Sequence, residues 1–176
     1  ETEFKKMLLK SPHRAELETA FGAQAFRVWE NDVLTFDPKI EADLVAESKL
    51  ISKYTSLKSG AQIPFRDENY NLSRLAAFAM DADRATRQAA SEAQWDWFAS
   101  NAAELDAIYD ELVKLRHTMS QKLSFRNYVE MAYRMRQRSD YDEAAVAKFR
   151  AQVRDDIVPL ALALKQTQAK DLGIDK

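Results

Sequence analysis

The sequence predicts a mainly α-helical fold of antiparallel helices with one short β-hairpin near residues 60–72. Three observations support this. Only 3 glycines and 4 prolines occur in 176 residues, so few points interrupt long elements. Apolar residues recur at three- and four-residue intervals along most of the chain. One stretch, "SGAQIPFRDENYNLSRL", breaks that rhythm with β-branched and aromatic residues around a polar turn.

In "KSPHRAEL", Ser11 reads as an N-cap and Pro12 as the first helical residue, where a missing N–H costs nothing, so a helix is predicted from there toward Asn31. Asp37 and Pro38 repeat the device before a second helix. Its apolar positions Ile40, Leu44, Leu50, Ile51 and Tyr54 keep helical spacing. Ile63, Pro64 and Phe65 then pair in a hairpin with the segment around Tyr70, with Pro64 confined to an edge or a bulge. Ser73 is expected to cap a short helix ending near Met80.

From Asp83 to Leu123 the stripe Phe98, Ala102, Leu105, Ile108, Tyr109, Leu112, Met119 and Leu123 predicts one buried helical face. The capping-box spacing of Asn101 and Glu104 leaves open one long helix or two broken near Ser100. Trp95 and Trp97, two apart on a helix, cannot point the same way, so one faces a neighbouring element or a partner. A shorter helix rich in arginine and aromatics follows Ser124. Asp140 and Glu143 have capping-box spacing ahead of a further helix whose buried stripe is Val146, Phe149, Val153 and Ile157. Pro159 kinks or restarts that helix, and Gly173 suits its C-terminal cap. Composition divides the chain into an N-terminal helical segment (1–58), a hairpin and short helix (59–81) and a long-helix segment (82–176). They are expected to form one structural unit.

A chain 46% apolar and 31% charged, with net charge −2, suits an ordinary core-forming domain, and offers no global electrostatic attraction to nucleic acid or an anionic bilayer. The absence of cysteine excludes disulfides and thiolate metal sites and fits a reducing compartment. With no apolar run near the ~20 residues needed to span a bilayer, and no signal-peptide pattern at the N-terminus, a cytoplasmic location is expected. The lack of an initiator methionine suggests an excised or trimmed piece.

Catalytic constellations are scarce. A helical zinc hydrolase needs two histidines four apart with an intervening glutamate, which puts both imidazoles on one face and leaves the carboxylate to activate water. Here His13 and His117 are the only histidines, each beside a basic residue, and both read as surface or supporting residues. There is no Gly-rich phosphate loop, no GxSxG elbow and no thiol nucleophile. The acid pairs fall on polar helix faces. No catalytic residue, metal ligand or cofactor is therefore assigned to this chain. The one arrangement worth weighing as a contact site is the arginine row Arg126, Arg134, Arg136 and Arg138, interleaved with Tyr128 and Tyr133. Guanidinium forks of Arg134, Arg136 and Arg138 beside Tyr133 suit a peptide carboxylate, a nucleic-acid phosphate or a partner surface. The blander expectation is that these arginines cover a helix flank and pair with nearby acids.

"DRATRQAASEAQWDWF", "ELDAIYDELVKLRHTMSQKLSFRNYVEMAYRM", "DYDEAAVAKFRAQVRDDIVPLA" and "QAKDLGIDK" resemble, in order, a continuous segment of the oligoendopeptidase F branch of the zinc metallopeptidases, the group that includes thimet oligopeptidase. "SPHRAELETAFGAQAFRV" and "YTSLKSGAQIPF" look like the upstream part of the same proteins. The resemblance implies a fragment of a larger helical metallopeptidase that encloses its site in a deep channel and cleaves short peptides. It also implies zinc for the parent enzyme, held by an HExxH motif and a further glutamate lying beyond the matched segment. None of those residues matches a position here. Ser124 departs from the family, which commonly has glycine there, and this puts a positive φ at that turn in doubt. The expected role is thus the non-catalytic helical part of a zinc-dependent oligoendopeptidase, inactive alone. Its expected partners are the remainder of the parent and short peptides in the intact enzyme, with self-association where apolar surface from Trp95 to Tyr109 or on the final helix is left uncovered. The alternative is a stand-alone helical protein-interaction module acting through the arginine–aromatic cluster.

Overall fold

The structure, a computed structural model, describes residues 1–174. In chain order its helices are α1 (Thr2–Leu9), α2 (Arg14–Phe21), α3 (Ala23–Leu34) and α4 (Glu41–Ser59). The strands β1 (Ile63–Phe65) and β2 (Glu68–Tyr70) follow, then α5 (Leu72–Leu75), α6 (Arg84–Ser100), α7 (Ala102–Lys122), α8 (Tyr128–Met135), α9 (Glu143–Gln152) and α10 (Val158–Leu172). The fold is mainly α with one small hairpin, as the glycine and proline usage predicts. The described residues divide into two compact units, one of residues 36–128 and one combining 1–35 with 129–174. Within the first of these units α4 packs with α7.

In the 36–128 unit, Asp37 accepts the backbone N–H of Lys39 and Pro38 opens a 3-10 turn leading into α4, as its sequence predicts. Of the apolar positions with helical spacing, Ile40 is buried and Leu44 and Leu50 are half-buried. Ile51 and Tyr54 are exposed, whereas Glu47 is only 9% exposed, its carboxylate accepting the Arg116 Nε at 2.7 Å. Asp43 pairs with Lys122 at 2.6 Å and Lys53 with Glu104 at 3.2 Å, so three ion pairs join two antiparallel helices above the buried Ile108, Leu112 and Met119. Tyr109, expected on the buried stripe, is exposed, since α7 turns that flank to solvent.

The hairpin pairs Ile63 with Tyr70, Pro64 with Asn69 and Phe65 with Glu68. In a two-stranded sheet every strand is an edge, which is where proline is tolerated. Ala61, Ile63, Phe65, Leu75 and Ala90 form its core, with Tyr70, Phe78 and Trp97 packed against it. Trp97 is therefore the inward tryptophan and Trp95 the outward one. Asn71, not Ser73, caps α5 by accepting the Arg74 N–H at 2.8 Å; Ser73 lies inside the helix. Asp83 caps α6 and also accepts the Thr86 hydroxyl at 2.8 Å. The chain breaks between α6 and α7 at Asn101, but the capping box is not formed: the Asn101 side chain donates back to the Trp97 carbonyl.

In the other unit, α1 precedes the first predicted helix, and the segment expected to run from Ser11 to Asn31 is two helices. Gly22 separates them with φ 87° and ψ 144°, a conformation that side-chain-bearing residues avoid. Ser11 accepts the His13 N–H, and α2 begins only at Arg14. Asp142 rather than Asp140 caps α9, which begins at Glu143, and the Asp140 carboxylate is paired with Arg27 at 3.1 Å. The expected buried stripe on α9 is absent: Phe149 is 63% and Ile157 54% exposed, while Val146 and Val153 are half-buried. Between α9 and α10, residues Val153–Ile157 form a π turn in which the Val158 N–H donates five residues back to the Val153 carbonyl. Pro159 cannot donate to the carbonyl four residues before it, and the widened turn accommodates this without ending the helix.

Candidate peptide-contact site

The arginine–aromatic cluster sits at the C-terminal end of α8. The Gln137 N–H donates to the Arg134 carbonyl and the Arg138 N–H to the Tyr133 carbonyl, with Gln137 at φ 55°. This paired pattern around a left-handed residue is a Schellman cap. It folds Arg138 back over the Tyr133 ring, 4.8 Å from its centroid, and the edge of Tyr141 closes on the same tyrosine at 6.3 Å. Gln137 is fixed in turn by accepting from the Asn31 amide at 3.1 Å and donating to Asp32 at 2.8 Å. Arg134 donates to the Asn31 carbonyl oxygen of the side chain at 3.4 Å.

Tyr133, Arg134 and Arg138 are thus held around one capped turn, with Arg136 exposed on it. Among the described residues, none of Arg134, Arg136 and Arg138 forms an ion pair with a carboxylate, unlike Arg14, Arg27, Arg74, Arg116 and Arg154. The expectation that nearby acids neutralise the row is not met for these three. Asp140, the acid nearest in sequence, is taken by Arg27, and Asp32 by Lys5 and Gln137. Three planar cations, one stacked on a tyrosine, form a surface that suits a carboxylate through charge-assisted, bidentate hydrogen bonds. Asn31 and Gln137, which order the turn, were not singled out in the sequence. An amide at position 137 carries no local signal for a left-handed cap, where glycine is the usual choice.

The zinc implied by the resemblance finds no donor set here. Among the described residues, no three His, Asp or Glu side chains converge to hold a metal ion. His117 is exposed on α7, and His13 is exposed with the Glu16 carboxylate 3.5 Å from its Nδ1. Neither satisfies the requirement for convergent ligands.

A family model described as the peptidase M3 N-terminal domain matches residues 1–36. No curated protein matches the chain. Two solved structures named oligoendopeptidase F are similar along 99% of this chain at 42% identity, one of them from Bacillus anthracis strain Ames, with TM-scores of 0.93 and 0.91. A third, PZ peptidase A with an inhibitor, is 40% identical over 99% of the chain with a TM-score of 0.93. The chain spans 31–32% of the length of these proteins. Identity at this level, carried by the same backbone over nearly every residue, identifies the chain as belonging to the oligoendopeptidase F family of M3 peptidases.

Proposed function

We propose that this chain is a non-catalytic helical part of a zinc-dependent oligoendopeptidase that hydrolyses short peptides. It shapes the chamber in which the reaction takes place, while the residues that hold zinc and move protons belong to other parts of the enzyme. The observation that carries this reading is the match of the whole chain to about a third of each longer peptidase, in a chain whose two histidines stand apart from any ligand set. Arg134, Arg136, Arg138 and Tyr133 serve as a peptide or partner contact, supported by their lack of carboxylate partners. The apolar residues of α9 and α10, among them Phe149, Leu160 and Leu164, pack against the remainder of the parent.

Turnover of an internally quenched fluorogenic peptide, measured alongside metal content by mass spectrometry, tests the central claim. The isolated chain is expected to carry substoichiometric zinc and to leave the peptide intact. Chelator-sensitive turnover with one zinc per chain would overturn the proposal.

A further inference from the structure

Within the 36–128 unit, a groove of about 460 Å³ opens between the last turns of α4, the start of α5 and the C-terminal half of α6. Leu72 and Phe98 contribute apolar lining, and Tyr54, Lys58, Ser73 and Gln94 also line it. Its volume falls within the range of small-molecule sites. No acidic residue lines it. Lys58 is half-buried, and its ammonium has no carboxylate partner among the described residues; it rests 5.0 Å from the centroid of the Tyr54 ring. Gln94 is also half-buried, and among the described residues its amide takes part in no hydrogen bond.

We infer that this groove binds the free C-terminal carboxylate of a short peptide whose last residue is apolar. The charge pattern selects this occupant. One uncompensated ammonium attracts a single anionic group, and a point-charge donor with three N–H bonds suits a carboxylate without demanding the geometry of a guanidinium. The Gln94 amide, which both donates and accepts, matches the last peptide unit, while Leu72 and Phe98 take the apolar side chain. A free amino acid fits poorly, because its ammonium meets Lys58 without any acid to offset the repulsion. This recognition stands whether or not the chain takes part in hydrolysis.

The test titrates the 176-residue chain with N-acetyl-phenylalanine, N-acetyl-phenylalanine amide and free phenylalanine, followed by two-dimensional NMR. A ligand of this size in an open groove reaches a Kd of about millimolar order. The acid is expected to shift Lys58, Gln94 and Phe98 saturably, and the amide and the zwitterion to bind about tenfold more weakly or worse. Lys58→Met should reduce binding of the acid to the level of the amide, and Gln94→Ala should weaken it without abolishing the preference for a carboxylate. Equal binding of acid and amide by the parent chain, undiminished binding of the acid by Lys58→Met, or the absence of saturable shifts up to about 10 mM each refutes the inference.

Discussion

Ser124 and Gln137 hold φ of 64° and 55°, a backbone region where a Cβ is crowded, and each occupies the position after a helix end that glycine usually takes. The Ser124 turn is closed by its own N–H on the Gln121 carbonyl and by the Phe125 N–H on the Ser120 carbonyl. Ser124→Gly is therefore expected to raise stability by about 0.5–1 kcal/mol, measured by urea denaturation, since the relief of strain exceeds glycine's entropic cost. Gln137→Gly should go the other way. It relieves the same strain but removes the hydrogen bonds to Asn31 and Asp32. Ser124 was legible as a turn of doubtful φ only through the glycine common in the family, whereas Gln137 left no trace in composition or spacing. Asp83 offers a pH test. The Thr86 hydroxyl, then the Thr86 and Ala85 backbone N–H groups, hold its carboxyl below the usual range. A lowered native value means that the stabilisation is complete above the unfolded value, about 3.9, and is lost as pH falls through the native one. Asp83→Ala should lower the melting temperature at neutral pH, and the gap from the parent should close in strong acid.

At the scale of elements, α4 and α7 show where periodicity misleads. Ile51 and Tyr54 keep helical spacing with Ile40, Leu44 and Leu50 but are exposed, and Asp43, Glu47 and Lys53 of α4 pair with Lys122, Arg116 and Glu104 of α7. A pattern of apolar residues cannot report a carboxylate that is buried only because its partner lies 69 residues away. Glu47→Ala leaves Arg116 facing a gap and is expected to cost about 2 kcal/mol, less than a fully buried pair because Arg116 is partly solvated. Glu47→Leu with Arg116→Met should recover most of that loss in thermal unfolding, as apolar replacement of a buried pair commonly does. The two tryptophans make a sharper contrast. That they point apart follows from helical geometry, but which one faces inward depends on the hairpin core, which the sequence placed without specifying its neighbours. Trp97→Ala is expected to cost about 2–3 kcal/mol and Trp95→Ala less than about 0.5 kcal/mol by chemical denaturation.

For the whole molecule, the mainly helical class and the hairpin were legible because scarce glycine, proline-marked helix starts and one break in periodicity all agree. The pairing of α4 with α7 was not, since partners far apart in sequence decide it. The stripe on α9 was read as buried because its periodicity is genuine, yet Phe149 and Ile157 stay exposed among the described residues, since apolar spacing alone does not say what a face meets. Light scattering across concentrations should detect self-association of the isolated chain through this face, and Leu160→Gln with Leu164→Gln should reduce it. The π turn at Val153–Ile157 has a further consequence for engineering this rod. It is in effect a one-residue insertion tolerated inside a helix, and each residue of an α-helix advances the azimuth by about 100°. Because the wide turn absorbs its extra residue locally, excising a single residue there would restore regular winding upstream of Pro159 and leave Leu160 and Leu164 aimed much as before, whereas a one-codon deletion in the regular winding would re-aim every residue after it by about 100°.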